Sequence, residues 1–198
     1  MCGRTLRCLC ALMLLFCPLV WAVEPDCSRY SEFGLSLGMG NKSVWQAMGK
    51  RGKEAGRVRG SSGYRTIESY EGASSPILVH YDGAVGKKSS ARVVSIERTF
   101  EESVVDVPNL MNSLRARLGR PTTGAANLDD GLEGGGVEWT DPTCDVRVTL
   151  FRRAASWWEP NVNAEFHVKI ESLSFLQTGE LKGEPVRAAG ASEPSRID

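Results

Sequence analysis

Histidine is almost missing from this chain, which has only His80 and His167. Both fall inside segments that alternate like strands. A zinc site draws three or four ligands from histidine and cysteine at characteristic spacings, and neither histidine has a ligand-spaced neighbour. No Cys-x-x-Cys pair is present, which removes the usual dithiol redox motif. A phosphate-binding loop of the Gly-x-x-x-x-Gly-Lys-Ser/Thr kind is lacking too. Neither sign of charge dominates, since 24 basic residues face 24 acidic ones. That balance leaves no footprint for nucleic acid, whose binders carry a basic excess. The expectation is a protein with no catalytic residues, no cofactor, no metal site, no nucleic-acid partner and no stable membrane span.

The one strongly apolar stretch stands at the start. Arg4 and Arg7 precede Leu9 to Val20, and Val20-Trp21-Ala22 then puts a small residue at a cleavage position. A basic, then apolar, then small-residue segment is the layout of a secretory signal. The apolar part is shorter than the roughly 20 residues a membrane span requires. Cleavage after Ala22 would deliver a periplasmic protein, with a retained membrane anchor or a lipidated cysteine as the alternatives. Cys17 follows Phe16 and Cys27 follows Asp26, whereas an acylated cysteine follows a small residue. Loss of Arg4 and Arg7 leaves 22 basic against 24 acidic residues, a net charge of −2. Four of the six cysteines also leave, so Cys27 and Cys144 remain. An oxidising compartment allows these two a single pairing. The chain-entropy account credits so long a closed loop with roughly 4–5 kcal/mol.

Hydrophobic periodicity divides the remainder. Asn41 or Ser43 can cap a helix whose apolar face is Val44, Ala47 and Met48, ended by Gly49 or Gly52. Strands are expected over 64–70, 76–82 and 92–100, the last with Val94, Ile96 and Phe100 on one face. Asp106 can cap a second helix, with Pro108 in its first turn. Its stripe is Val107, Leu110, Met111, Leu114 and Leu118, and Gly119 and Pro121 stop it. Strands then recur over 137–140, 145–151 and 164–175. The order helix-strand-strand-strand occurs twice, with Gly49 answering Gly119 and Ile96 answering Ile170. The expected fold is therefore α+β: a tandem repeat of such units, with helices on one face of antiparallel sheet. Its bounds are a signal at 1–22, a first unit at 23–103, a second at 104–176 and a disordered tail at 177–198.

Gly38, Met39, Val44, Met48 and Gly49 make a pattern that resembles a helix recurring in small bacterial envelope proteins. The second copy keeps Leu114, Leu118, Gly119 and Pro121, with Val107-Pro108 in place of the Gly-Met pair. The family is the one containing the small lipoprotein of the β-barrel assembly machinery and the tandem β-lactamase-inhibitor protein. By element order the resemblance spans Phe33 to Phe175. It implies a binding or scaffold protein without catalysis, and it transfers no contact residue.

Three stretches are candidates for contact or chemistry. Trp157, Trp158 and Glu159 fall in the connection between two strands that should form a hairpin. Tryptophan there either caps the core, or meets a protein partner, or meets glycan or lipid head groups. Asp129, Asp130 and Glu133 lie on a glycine-rich loop and lack the alternation of a calcium loop. Residues 50–59 are locally basic, either a solvated segment near a helix C-terminus or a match for an anionic surface. The functional expectation is an exported, non-enzymatic binding protein, an envelope scaffold or inhibitor-like module, whose partner is an envelope or periplasmic protein. It would use an open sheet face and the Trp-bearing hairpin. The alternatives are a cell-wall or peptide hydrolase using Asp129, Asp130, Glu133 and Glu159, and a purely structural envelope protein.

Overall fold

The computed structural model describes residues 25–49, 52–60, 63–70, 75–124, 136–153 and 164–181. Among them one seven-stranded antiparallel sheet runs in the order β1-β2-β3-β4-β7-β6-β5. The strands are β1 (Lys53–Gly60), β2 (Gly63–Tyr70), β3 (Ile77–Tyr81), β4 (Val93–Glu101), β5 (Val137–Asp141), β6 (Val146–Arg153) and β7 (Glu165–Ser172). Three helices accompany them: α1 (Asn41–Ala47), α2 (Val107–Leu118) and α3 (Leu173–Thr178). No helix among the described residues is long and apolar enough to cross a membrane.

Alternation with period two aims one set of side chains at a common core. Ile77, Val79 and Tyr81 of β3 are fully buried, and so are Val148 and Leu150 of β6. Ile96 and Ile170 lie directly opposite each other where β4 meets β7. Val44 of α1 and Met111, Leu114 and Leu118 of α2 join the same buried cluster. Asp106 caps α2 as its sequence suggests, accepting from the Asn109 amide at 3.1 Å. Gly119 ends that helix at φ 85°, a conformation glycine adopts without steric cost.

Four local expectations change. The cap of α1 is Gly40 and not Asn41 or Ser43. Asn41 is buried, and its amide donates to the Gly86 carbonyl at 2.9 Å. Most of the basic stretch 50–59 forms strand β1 rather than the end of a helix. Its partner β2 supplies the ladder that the sequence of β1 does not advertise. The last strand stops at Ser172 and not at 175. Ser172 there accepts from the Phe175 amide at 3.1 Å, and Asp145 accepts from the Ser174 amide at 2.8 Å. Two satisfied amides start a helix where alternation alone would continue the strand. Finally, α3 reaches Thr178, two residues into the stretch assigned to the tail.

A carboxylate sits inside the core. Glu68 is fully buried. Its Oε2 accepts from Trp45 Nε1 at 3.0 Å, Tyr70 Oη at 2.9 Å and Tyr81 Oη at 3.1 Å. Buried polar atoms cost free energy unless they are paired, and these three donors supply the pairing. Burial pushes the Tyr70 hydroxyl up to about 12 and raises Tyr81 as well.

Cys27 and Cys144 are bonded across 117 residues. Beside them Asp141 accepts from Arg29 at 2.7 Å and from the Tyr30 hydroxyl at 2.8 Å. Burial works to raise Asp141. The bonds from Tyr30 and Arg29 and from the amides of Cys144 and Thr143 outweigh it and hold the carboxyl down to about 2.

Two outcomes follow for stability. Replacing both cysteines, Cys27→Ser with Cys144→Ser, lowers unfolding free energy in urea by about 2–5 kcal/mol; an unmoved midpoint would contradict the tether. In alkali the unfolded tyrosines ionise near pH 10 while folded Tyr70 holds its proton to about 12. Stability should therefore be intact below pH 10 and decline above it. Tyr70→Phe with Tyr81→Phe should flatten that decline in thermal melts.

Candidate functional site

Residues paired in register share a face of the sheet, so the ladders map the face opposite the core. One row across it reads His80, Ser95, Glu171, Arg147. The next reads Leu78, Glu97, Lys169, Thr149, and a third reads Thr99, His167, Phe151. The two histidines that look solitary in sequence thus come together around Glu97.

Glu97 is the centre of this polar face. Its Oε1 lies 2.8 Å from His167 Nδ1, and its Oε2 lies 3.6 Å from His80 Nε2. Burial alone would raise its pKa. The bond from His167, the nearby His80 ring and the charge of Lys169 more than reverse this, and Glu97 lies well below the carboxylate range. An ionised carboxylate only accepts, so the ring proton facing it sits on His167 Nδ1. The other ring nitrogen of His167 finds no hydrogen-bond partner among the described residues and stands 3.4 Å from Glu165 Oε2. His167 stacks on Phe151, ring centres 4.8 Å apart and planes within 6°.

A second set of charges adjoins the first. Glu171 meets Arg147 NH2 at 2.8 Å and Lys169 Nζ at 2.8 Å. Its pKa is also depressed, burial being overcome by Lys169 and Arg147. Alternation along β7 places His167, Lys169 and Glu171 on one side of the sheet, a side expected to face solvent, yet His167 is 6% exposed and Glu171 7%. Phe151 and the neighbouring ion pairs shield them. Alternation in one strand gave the shared face, and only the cross-strand partners reveal the burial.

Trp157, Trp158 and Glu159 lie outside the described residues, as do Asp129, Asp130 and Glu133. The hairpin that would carry the tryptophans is present, with Arg153 opposite Glu165 at its last described pair. The sequence also spells Gly-x-Ser-x-Gly at Gly34 to Gly38, which corrects the expectation that the chain holds no such motif. Such a serine becomes a nucleophile on a strand-to-helix turn. Here only an isolated bridge at Leu35 precedes Ser36, and α1 begins at Asn41. Among the described residues no three of His, Cys, Asp and Glu are grouped to hold a metal ion. A cleft of about 520 Å³ near the end of α2, lined by Arg115, Arg120, Thr122 and Thr123 among others, shares no residue with the polar face.

Compared with family models, with curated proteins and with solved structures, the chain matches none of them.

The depressed carboxylates set a direction for acid. Folded Glu97 keeps its charge where an unfolded glutamate takes up a proton. Its contribution is therefore complete above the ordinary carboxylate range and is lost as pH falls through and below it. Glu97→Gln should cost about 1–3 kcal/mol at neutral pH. It should also make urea stability less dependent on pH below about 5. A variant with the same acid slope as the parent would exclude this role.

Proposed function

We propose that this is an exported, non-enzymatic binding protein of the bacterial envelope, a scaffold or inhibitor-like module made of two related units. The polar face carries this reading. Partly exposed side chains, Lys169 at 28% and His80 at 23%, flank a Glu97 side chain that is 13% exposed, and Arg147 at 34% pairs with the neighbouring Glu171. Their ion pairs hold them in fixed positions before any partner arrives, and pre-ordered groups lose less entropy on binding.

The two-unit reading has separate support. Read outward from the centre, β4-β3-β2 on one side answers β7-β6-β5 on the other. Ile96 faces Ile170 at the junction. Each half is preceded by a helix followed by a left-handed glycine, Gly49 at 73° and Gly119 at 85°. Strand β1 is an addition to the first half. The helix pattern around Gly38, Met39 and Gly49 fits the envelope family named above. The leader and the Cys27–Cys144 bond suit a periplasmic setting.

Quantitative capture from an envelope extract tests the reading. Immobilised parent protein should retain a partner that Leu78→Arg with Thr149→Arg loses by about tenfold or more, as a like-charge clash at a contact predicts. Trp157→Ala with Trp158→Ala should lose it too if the hairpin adjoins the same surface. Both variants should keep the parental circular dichroism. Equal retention by all three proteins, or turnover of cell-wall polymer by the parent, would refute it.

A further inference from the structure

A tight turn ahead of α1 carries a residue that its backbone disfavours. Glu32 and Leu35 close the turn, each amide donating to the other's carbonyl, at 2.9 and 2.8 Å. The two residues between them are Phe33 at φ 53° and Gly34 at φ 75°. A two-residue turn with positive φ at both positions ordinarily takes asparagine, aspartate or glycine first. Among the described residues Asp145 is the other non-glycine at positive φ, and an aspartate tolerates that region where a bulky side chain does not. Phe33 is also 44% exposed. Turn geometry opposes this ring and burial rewards it only in part, and such an outlier points toward function.

The surroundings hold the ring and add charge beside it. The Arg98 guanidinium lies 4.9 Å from the centre of the Phe33 ring and 4.5 Å from that of Phe100. Its Nε donates to Ser75 at 2.9 Å and its NH1 to Glu32 at 3.1 Å. Phe100 and these two acceptors already fix Arg98, so a second ring is not needed to order it. The other oxygen of Glu32 accepts from Arg117 NH1 at 2.9 Å. Among the described residues Arg117 has no other acceptor, and its Nε is shielded from water without a partner. A guanidinium carries more donors than one acceptor satisfies. Two cations thus share one carboxylate, and the Arg117 side chain is 34% exposed where that of Glu32 is 15%.

These features select an occupant. A large aromatic at the centre of a contact carries much of its energy, and a ring preset on a closed turn loses little freedom on binding. With Arg98 already against it, the ring has little attraction for a second cation, so apolar contact remains. The excess of cation beside it favours carboxylates and opposes a basic partner. We infer that the Phe33 turn anchors an acidic segment of a partner protein, with an aliphatic side chain of that segment on the Phe33 ring and a neighbouring aspartate or glutamate on Arg117. Arg98 lies opposite the buried Ile77 on the core side of β4. This surface is therefore separate from the polar face, and its test does not depend on that reading.

The test uses the full chain with its cystine intact and three peptides: Gly-Gly-Asp-Leu-Asp-Gly-Gly, the same with asparagine for aspartate, and the same with alanine for leucine. Backbone amide shifts followed through a titration with the first should move at Glu32 to Leu35 and at Arg117, and stay in place at Glu97 and Lys169. Half-saturation near about 1 mM is expected of so short a segment. The other two peptides should bind about tenfold more weakly, as loss of a charged hydrogen bond or of apolar contact predicts. Phe33→Asn gives the turn its ordinary residue, so it should melt at or above the parent temperature while weakening the first peptide by about tenfold. Arg117→Gln should weaken the aspartate peptide by about tenfold and leave the asparagine peptide unchanged. Equal binding of the three peptides, or shifts at the polar face in place of the turn, would overturn the inference. So would unchanged peptide binding by a destabilised Phe33→Asn variant, which would make the ring a brace for Arg98. Binding to phosphatidylglycerol vesicles without peptide binding, or parental self-association that Phe33→Asn abolishes, would overturn it as well.

Discussion

The pairing of β4 with β7 is the constraint on which the rest depends. It joins segments about seventy residues apart, as in the His167–Glu97 contact with its separation of 70. On one side of this ladder Ile96 meets Ile170 in the buried cluster, and on the other Glu97 meets Lys169 and His167. Neither half can complete its core or its charged face without it. Such a contact is costly to close before it is rewarded, so a chain of this topology folds more slowly than one with local pairings.

Each face holds an acid. Glu68 in the core accepts from the hydroxyls of Tyr70 and Tyr81 and the indole N–H of Trp45. Glu97 on the polar face is bonded to His167 and lies near His80 and an ammonium. In both cases hydrogen bonds offset burial. Removing one donor from either acid leaves oxygen atoms that water reaches poorly. The surrounding groups are therefore tied to one geometry, which makes both acids determinants of conformation.

Much of the fold was legible because period two and period 3.6 leave plain marks. Val146, Val148 and Leu150 alternate with Arg147 and Thr149, and β6 is there. Asp106, Pro108 and Gly119 bracket α2 as caps should. Strand β1 was not legible, since Lys-Glu-Ala-Gly-Arg-Val-Arg-Gly shows no apolar alternation and draws its order from β2. The helix α3 was hidden because Phe166, Val168 and Ile170 set a rhythm that runs on past Ser172. Its start is fixed by Asp145, which is distant in sequence. The Glu97 cluster was invisible for the same reason, its members lying on three strands. The cystine needed no geometry, because the expected leader takes four of the six cysteines with it and the remaining two allow one pairing.

The Cys27–Cys144 bond also dictates how the molecule bears tension. A pull between the beginning and the end of the folded part enters at residue 27 and crosses directly to residue 144. Strands β1 to β5 lie inside the covalent loop and carry no load. Of the described elements, only β6, β7 and α3 stand in the line of force. Traction would peel those three elements from a β4 that stays in place, and the rest of the sheet would remain as the seat for their return.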